Sequence, residues 1–477
     1  MTSTLQFSLC GLIIIAFLSS ACSDTTNDTT ETGLSDSTYL VTETPGGKND
    51  TGYASNVATE FQAVFRSTIS FSLKNVEPEL WQSVASALMS PGSPELLDGA
   101  GLQLKFGKTE FNSKGLRPNH LVEAVQALEV TVDPETASVR VLFQAETEVI
   151  VAHSDALKHH WTAENLIGKR FTATVPDNPW PMHFVAKMAC QDEESHGPDP
   201  LSYYYYFDAF REGCAEAMLA GGIERVGLEI EIVSVEPPFV SFPEYDRLME
   251  DGRLDIIAFF PHATDGWVPG SFDWGASARD KFVRNLRQAG FGLQSTPKGD
   301  IYERVKSGVV QSIRVVGPEL LQSLPDFAKS LYRELIPNYE IVLYNGHSNY
   351  GSLDILTEPT LYPGHYQIFF INACWSYEYY TKQIFQHNKT EQDPMGWANA
   401  DVVINTELGW FDHFGSLSTI LVANLLRGSM TGGVEGHRFY SWDRIVTALN
   451  SFAQANPNDG QHELFGVSGV KGNSYTP

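Results

Sequence analysis

The sequence predicts two successive parts: a β-rich, sandwich-like part at residues 59–245, and an α/β part at residues 246–477 whose mostly parallel sheet is flanked by helices. Two observations favour this division. Short segments of the first part alternate apolar and polar residues, which is typical of strands with one buried face. The second part alternates uninterrupted apolar runs with stretches of helical spacing, the pattern of strands that are covered on both faces.

The β-rich part contains five alternating segments and one short helical stretch. The segments are Phe61–Leu73, Leu128–Val132, Ser138–Ala152, Arg170–Val175 and Val226–Val235, and the helical stretch lies around Phe207–Ala220. In the third segment, Val139, Val141 and Phe143 fall on one face with polar or charged residues between them. This period of two predicts antiparallel strands packed as a β-sandwich.

The α/β part reads as apolar strands separated by helices. The apolar runs are Leu254–Phe260, Ile341–Tyr344, Gln367–Ala373 and Val402–Ile404, with a possible edge strand at Phe465–Val467. The expected helices are Ala276–Ala289, Pro318–Ile336, Trp375–His387, Leu417–Leu426 and Trp442–Phe452. Gly290 follows the first of these helices as a C-cap. Strands alternating with helices predict a mostly parallel sheet with helices on both faces.

The first 22 residues have the features of an export signal. Leu5–Leu18 is an apolar segment too short to span a bilayer comfortably, and small residues lead from it to Cys22. This order resembles the cleavage box of bacterial lipoproteins, which implies lipid on Cys22 and an exported, membrane-anchored protein at the cell surface, outer membrane or periplasm. An ordinary cleaved signal and an uncleaved anchor are the alternatives. Residues 23–58, rich in Thr, Ser, Asp and Gly, are expected to form a flexible linker.

Composition excludes several classes of function. The net charge of −26 argues against non-specific nucleic-acid binding, and a hydrophobic content of 42% excludes a fully disordered chain. No phosphate-binding glycine motif is placed between a strand and a helix, so no nucleotide cofactor is expected. The histidines lack paired ligand spacing, so no metal site is expected either.

The five cysteines have four expected fates. Cys10 would leave with the signal, and Cys22 would carry lipid. Cys190 and Cys214 are expected to pair as a disulfide in an oxidising compartment, although two buried free thiols are the alternative. Cys374 is then the odd thiol, which is worth attention in an exported protein.

Two predicted strands end in chemically capable residues. Ile341–Tyr344 leads to His347, and Gln367–Ala373 leads directly to Cys374. If the strands are neighbours in a parallel sheet, both side chains reach the same edge, where open α/β sheets bind ligands. A thiol and an imidazole suffice for acyl transfer. The alternatives are a loop histidine and a buried structural thiol.

The surroundings of this pair suggest a cleft. The N-terminus of the helix after Cys374 is expected to favour the thiolate, and the amides of Cys374 and of the segment from Gly346 to Ser348 are candidate oxyanion donors. His262 and Asp265 follow the first apolar run, so they either line the cleft or only terminate the strand.

The segments VLYNGH (Val342–His347) and IFFINAC (Ile368–Cys374) resemble the caspase-like cysteine peptidases, a family that includes caspases, legumain, clostripain and gingipains. The gingipains are nearest, as secreted bacterial peptidases with an immunoglobulin-like β-domain. The resemblance implies a dyad of His347 and Cys374, an oxyanion hole from the Cys374 amide and the amide next to the histidine, and a protein or peptide substrate. Ser348 stands where the family usually has glycine.

Two functions are therefore expected as alternatives. The first is a cysteine endopeptidase on an exported, lipid-anchored protein, which needs no cofactor. The second is a non-catalytic surface lipoprotein, either a degenerate peptidase or a binding or adhesion module.

Overall fold

The computed structural model describes most of the chain beyond residue 52. The described residues are 53–122, 124–185, 187–191, 207–235, 240–264, 268, 270–321, 325–349, 353, 356–431, 434–435, 438–458 and 461–477. The predicted signal, most of the predicted linker, Cys22 and Asp265 lie outside them.

The first part is built on one antiparallel sheet. Its strands are β1 (Ala58–Ser72), β2 (Arg117–Pro118), β3 (Val125–Asp133), β4 (Ser138–Ala152), β5 (Arg170–Pro176) and β6 (Arg225–Val235). The order is β2-β4-β1-β6-β5, and β3 also pairs with β4. β1 pairs with β4 along its whole length, from Ala58 opposite Ala152 to Ser72 opposite Ser138. The alternating segments of the sequence therefore do form antiparallel strands.

The expected sandwich is wrong for the described residues, because helices pack on this sheet where a second sheet was expected. The helices of this part of the chain are α1 (Trp81–Leu88), α2 (Pro94–Ser113), α3 (His153–Lys158), α4 (Ala163–Leu166), α5 (Met182–Val185) and α6 (Cys214–Ala220). On α2, a Cβ at Gly99 would lie 2.2 Å from Ile69 Cδ1, so the helix sits directly on β1. Gln103 Nε2 also donates to Thr68 O at 2.9 Å. Alternation shows which face of a strand is buried, but not what covers it.

The second part is built on a mixed eight-stranded sheet. Its strands are β7 (Arg253–Phe259), β8 (Gly292–Gln294), β9 (Asp300–Lys306), β10 (Val309–Val316), β11 (Ile341–Asn345), β12 (Gln367–Asn372), β13 (Ala400–Asn405) and β16 (Phe465–Ser468). The order is β16-β13-β12-β11-β7-β10-β9-β8. The five strands from β13 to β10 run parallel, as expected, while β16, β9 and β8 pair antiparallel at the two edges. A separate two-stranded hairpin joins β14 (Val434–Glu435) to β15 (Arg438–Phe439).

Helices pack on both faces of this sheet. They are α7 (Tyr245–Leu248), α8 (Trp274–Gln288), α9 (Pro318–Leu321), α10 (Pro325–Leu335), α11 (Ser376–Asn388), α12 (Phe411–Thr431) and α13 (Trp442–Ala455). Leu343 of β11 faces the core that holds α8, α12 and α13. Its neighbours Val342 and Tyr344 face the core that holds α10 and α11. Successive side chains of this fully buried strand therefore pack alternately into two different cores.

The core on the α11 side is continuous with the core of the antiparallel sheet. Across this seam, Tyr377 of α11 donates its hydroxyl proton to Glu60 of β1. Tyr53 packs edge-on against the Tyr377 ring, with ring centroids 5.8 Å apart. The two parts that the sequence predicts separately therefore share one buried boundary, and α11 lies in it.

Candidate active site

Parallel pairing brings the ends of β11 and β12 level. Asn345 is aligned with Asn372, and both side chains are fully buried. Asn372 Nδ2 donates to Asn345 Oδ1 at 3.0 Å, and Gly346 N–H donates to Asn372 O at 3.3 Å. His347 and Cys374 are each two positions beyond these aligned residues. The two side chains predicted to form a dyad therefore leave adjacent strands at the same edge.

Cys374 is the free thiol of the described residues, and its side chain is partly exposed. Gly409 N–H donates to Sγ at 3.4 Å. Burial raises the pKa of the Cys374 thiol above its usual value, against the smaller lowering effects of the Gly409 hydrogen bond and the Lys108 ammonium. The sequence led us to expect that the helix N-terminus would favour the thiolate. In this structure the pKa of the thiol is raised, because the cost of burying the charge is larger than the gain from the Gly409 hydrogen bond and Lys108.

The turn after Cys374 is a strained strand-to-helix junction. Trp375 is the N-cap of α11 and has a left-handed backbone with φ 47°. This conformation is costly for a residue with a side chain, and residues strained in this way are enriched at functional sites. Asn349, two positions after His347, has a similar φ of 44°. Both turns that present the candidate dyad thus contain a non-glycine residue in this region.

His347 is exposed, and its ring packs against Phe411 with centroids 4.9 Å apart. Its Nε2 lies 2.9 Å from the carbonyl oxygen of Ala263. A carbonyl only accepts, so the hydrogen must be on Nε2, and in the neutral ring Nδ1 keeps its lone pair for a proton. Within the described residues, no hydrogen bond joins this imidazole to the Cys374 sulfur.

The Ala263 carbonyl is held in place by Asp273. Asp273 is buried, and its Oδ2 accepts the Ala263 N–H at 2.8 Å. Its Oδ1 accepts the Ala276 N–H at 2.8 Å, which caps α8. A Cβ at Gly275 would lie 1.9 Å from Pro261 O, so this loop lies directly on the start of the helix. The loop after β7 thus offers the site a fixed carbonyl.

The sequence led us to expect that His262 and Asp265, which follow β7, either line the cleft or only terminate the strand. His262 Nδ1 lies 2.8 Å from Thr264 O, so its ring is hydrogen-bonded within its own loop. Asp265 is outside the described residues. Sequence reasoning missed the Ala263 carbonyl, since a main-chain acceptor has no residue-type signal. Asp273, just before the expected helix, is a residue type that often caps helices, but this signal was not used in the sequence prediction.

Gly346 does not fit its expected part in the oxyanion hole. Its N–H already donates to Asn372 O, so it extends the pairing of β11 with β12. A Cβ at this position would lie 2.5 Å from Pro261 Cγ, which explains the glycine by close packing. Ser348 is buried, and its carbonyl accepts the Tyr380 hydroxyl. Among the described residues, the amides of Ser348 and Cys374 have no carbonyl partner, so they remain the candidates for oxyanion donors.

A buried ion pair from across the seam lies beside the thiol turn. Lys108 of α2 forms a salt bridge with Glu378 of α11, and both side chains are almost fully buried. The Lys108 ammonium also lies 4.0 Å from the centroid of the Trp375 ring. The β-rich part therefore contributes a positive charge next to the residue that follows Cys374. No sequence pattern marked Lys108, which is 266 positions before Cys374.

Cys190 and Cys214 form a disulfide in the structure, the pairing that the sequence favoured. Both residues are fully buried. The bond ties a short 3₁₀ turn (Lys187–Cys190) to the start of α6, far along the chain from Cys374.

The described residues contain no cluster of three or more His, Cys, Asp or Glu side chains that could hold a metal ion. In the same part of the chain, no helix is both long and apolar enough to cross a membrane. Comparisons with protein-family models, curated proteins and solved structures found no match to this chain.

Proposed function

We propose that the chain is a caspase-like cysteine endopeptidase in which Cys374 is the nucleophile and His347 the proton carrier. One observation supports this more than any other: the level ends of β11 and β12 send these two side chains from equivalent positions of adjacent parallel strands. The left-handed turn at Trp375 and the tautomer that Ala263 O imposes on His347 add to it.

The chemistry requires four proton transfers through one imidazole, two as the thioester forms and two as it is hydrolysed. The Cys374 thiol gives its proton to His347 Nδ1 as Sγ bonds to the peptide carbonyl carbon. The amides of Cys374 and Ser348 donate to the resulting oxyanion. His347 then protonates the leaving amine as the C–N bond breaks. Water, deprotonated by the same imidazole, attacks the thioester, and the thiol regains its proton as the acid leaves.

A second candidate function is a non-catalytic relative of such peptidases that binds a partner. Three observations favour it: Cys374 Sγ is engaged with Gly409, His347 and Cys374 are not hydrogen-bonded to each other, and the pKa of the thiol is raised. In the peptidase proposal, substrate binding must bring the imidazole and the thiol together, since catalytic hydrogen bonds often tighten only in the substrate complex. In the binding proposal they stay apart.

Turnover of a peptide library by the purified full-length protein distinguishes the two functions. The peptidase proposal expects cleavage that is abolished in Cys374→Ala and reduced at least about a hundredfold in His347→Ala. His387→Ala is the matched control, because this histidine lies at the far end of α11 and stacks on Tyr362. Absence of cleavage, or cleavage that survives in Cys374→Ala, would refute the peptidase proposal.

We also propose that the chain is exported and lipid-anchored through Cys22. The support is in the sequence: an apolar segment of the length of a signal core, small residues, and then this cysteine. Metabolic labelling with a radioactive fatty acid in a bacterial host tests it. Label should enter the wild type and be absent from Cys22→Ala, and equal labelling of both would contradict the proposal.

A further inference from the structure

A cavity of about 460 Å³ lies between α2 and α11, in the seam between the two parts of the chain. Its apolar wall is formed by Leu97, Leu102, Leu121 and Val122. Its polar lining includes His120 and Glu378. Small-molecule sites have this size and this combination of apolar walls with a few convergent polar groups.

Two polar side chains of the cavity lining, His120 and Glu378, are buried and have atoms without a hydrogen-bond partner. His120 is 3% exposed and Glu378 is 0% exposed. Neither ring nitrogen of His120 has a hydrogen-bond partner, and neither does Oε1 of Glu378. Buried polar atoms of folded proteins are nearly always hydrogen-bonded, so each exception needs an explanation. Here the three unpartnered atoms belong to two side chains that line one cavity.

The geometry of these atoms defines what the occupant must offer. His120 Nε2 lies 3.7 Å from Oε2 of Glu378, so its hydrogen is best placed on that nitrogen, facing the carboxylate. Nδ1 of His120 then has a lone pair and no donor. Oε1 of Glu378 is likewise an acceptor without a donor. Two buried acceptors call for an occupant with two N–H or O–H donors.

The charges around the cavity favour a neutral occupant. Lys108 neutralises Glu378, and Lys105 at the cavity lies in the field of Asp98. Burial and the two lysines lower the pKa of His120 well below its usual value, so this ring is neutral. A primary carboxamide is neutral, has two N–H donors on one nitrogen, and has a carbonyl that can accept from the Lys105 ammonium.

We propose that this cavity binds an apolar primary carboxamide, whose NH₂ group donates to His120 Nδ1 and Glu378 Oε1 while its apolar body packs against the leucines of α2. The proposal does not use Cys374 or His347, although Glu378 also pairs with Lys108 beside the thiol turn, so it holds whether or not the chain is a peptidase.

Benzamide is the probe, titrated into the full-length protein by calorimetry at pH 8. Burial raises the pKa of the Glu378 carboxyl to about 7, so this group is ionised at pH 8 and can accept hydrogen bonds. Saturable binding of benzamide is expected. N,N-dimethylbenzamide keeps the ring and the carbonyl but has no N–H donor, and it should bind at least about tenfold more weakly. This comparison uses the unaltered protein and does not depend on any variant folding.

His120→Phe removes the ring nitrogens and keeps a planar side chain, and it should weaken benzamide binding at least about tenfold. His159→Phe is the matched control, because His159 is exposed and stacks on Trp161, and binding should be unchanged. Absence of saturable benzamide binding would mean that water fills the cavity, and the proposal would fail. Equal binding of N,N-dimethylbenzamide, or of benzamide to a folded His120→Phe protein, would also overturn it.

Discussion

Replacement of Asp273 by Ser separates the two hydrogen bonds of this carboxylate. Its Oδ1 caps α8 through the Ala276 N–H, and its Oδ2 holds the Ala263 N–H, both at 2.8 Å. Serine caps helices about as well as aspartate but has one oxygen and a shorter side chain. Asp273→Ser should therefore keep the cap and lose the bond to Ala263, whose carbonyl lies 2.9 Å from His347 Nε2.

The expected cost follows from the burial of this contact. Asp273 is 3% exposed but Ala263 is only partly buried, so the change leaves the Ala263 N–H without its partner in a partly buried site. An unsatisfied buried donor costs about 1–3 kcal/mol, the lower end applies to a partly buried one, and a cap exchange between Asp and Ser adds only a few tenths. We therefore expect the free energy of unfolding to fall by about 1 kcal/mol. If the Ala263 carbonyl then leaves His347, the preference for the Nε2–H tautomer should fall about fivefold, since a typical net hydrogen bond is worth about 1 kcal/mol.

Urea unfolding measures the first effect, and nitrogen NMR of protein labelled at its histidines measures the second, with the His347 signal assigned from His347→Ala. Ser441→Ala is the control, because Ser441 caps a different helix, α13, by accepting the Arg444 N–H at 3.3 Å. Ser441→Ala should lower the free energy of unfolding by about 1 kcal/mol and leave the tautomer of His347 unchanged. If Asp273→Ser loses stability but keeps the tautomer of His347, the carbonyl does not orient the imidazole and the reasoning is refuted.

Three further predictions concern burial, charge and cross-linking. Burial raises the pKa of Asp401 to about 7, so between about pH 4 and pH 7 the folded state holds more protons than the unfolded chain. The free energy of unfolding should therefore fall by up to about 4 kcal/mol as the pH rises through this range. Chemical unfolding of Asp401→Asn should lack this part of the pH dependence, and an identical pH dependence would contradict the prediction. Lys108→Met removes the ammonium that lowers the pKa of the Cys374 thiol, so iodoacetamide should alkylate this thiol more slowly at pH 8, whereas an unchanged rate in the folded variant would refute the effect. Replacing both Cys190 and Cys214 by Ala should lower the free energy of unfolding, measured with urea, by about 3 kcal/mol. A decrease below about 1 kcal/mol would show that the disulfide contributes little to stability.

The sequence predicted the central strands well but missed a major helix. Apolar runs such as Gln367–Ala373 are uninterrupted, of strand length and bounded by turns, so their length and boundaries identify them as strands, and β12 ends within one residue of the prediction. Helix α2 has glycines at Gly99, Gly101 and Gly107, which lower helix propensity. The folded structure explains two of these glycines, because a Cβ added at Gly99 or Gly107 would lie within 3.0 Å of a neighbouring side chain. Tertiary packing stabilises a helix there against local preference.

The candidate site was predictable only where it depends on strand ends. The positions of His347 and Cys374 follow from two apolar runs that end level in a parallel sheet. The Ala263 carbonyl was not predictable, since main-chain acceptors look alike in every sequence. Lys108 was not predictable either, because its place beside Trp375 depends on how the two parts pack. The raised pKa of the thiol likewise depends on burial, which one sequence does not specify.

The rate at which iodoacetamide alkylates Cys374, followed against pH, tests most directly whether His347 and Cys374 act as a pair. Mass spectrometry of the proteolytic peptide that contains Cys374 isolates this thiol from the others. If the imidazole and the thiol are coupled, the wild-type profile has a second inflection besides that of the thiol, and His347→Ala lacks it. Superimposable profiles of the two proteins would contradict a dyad at this sheet edge.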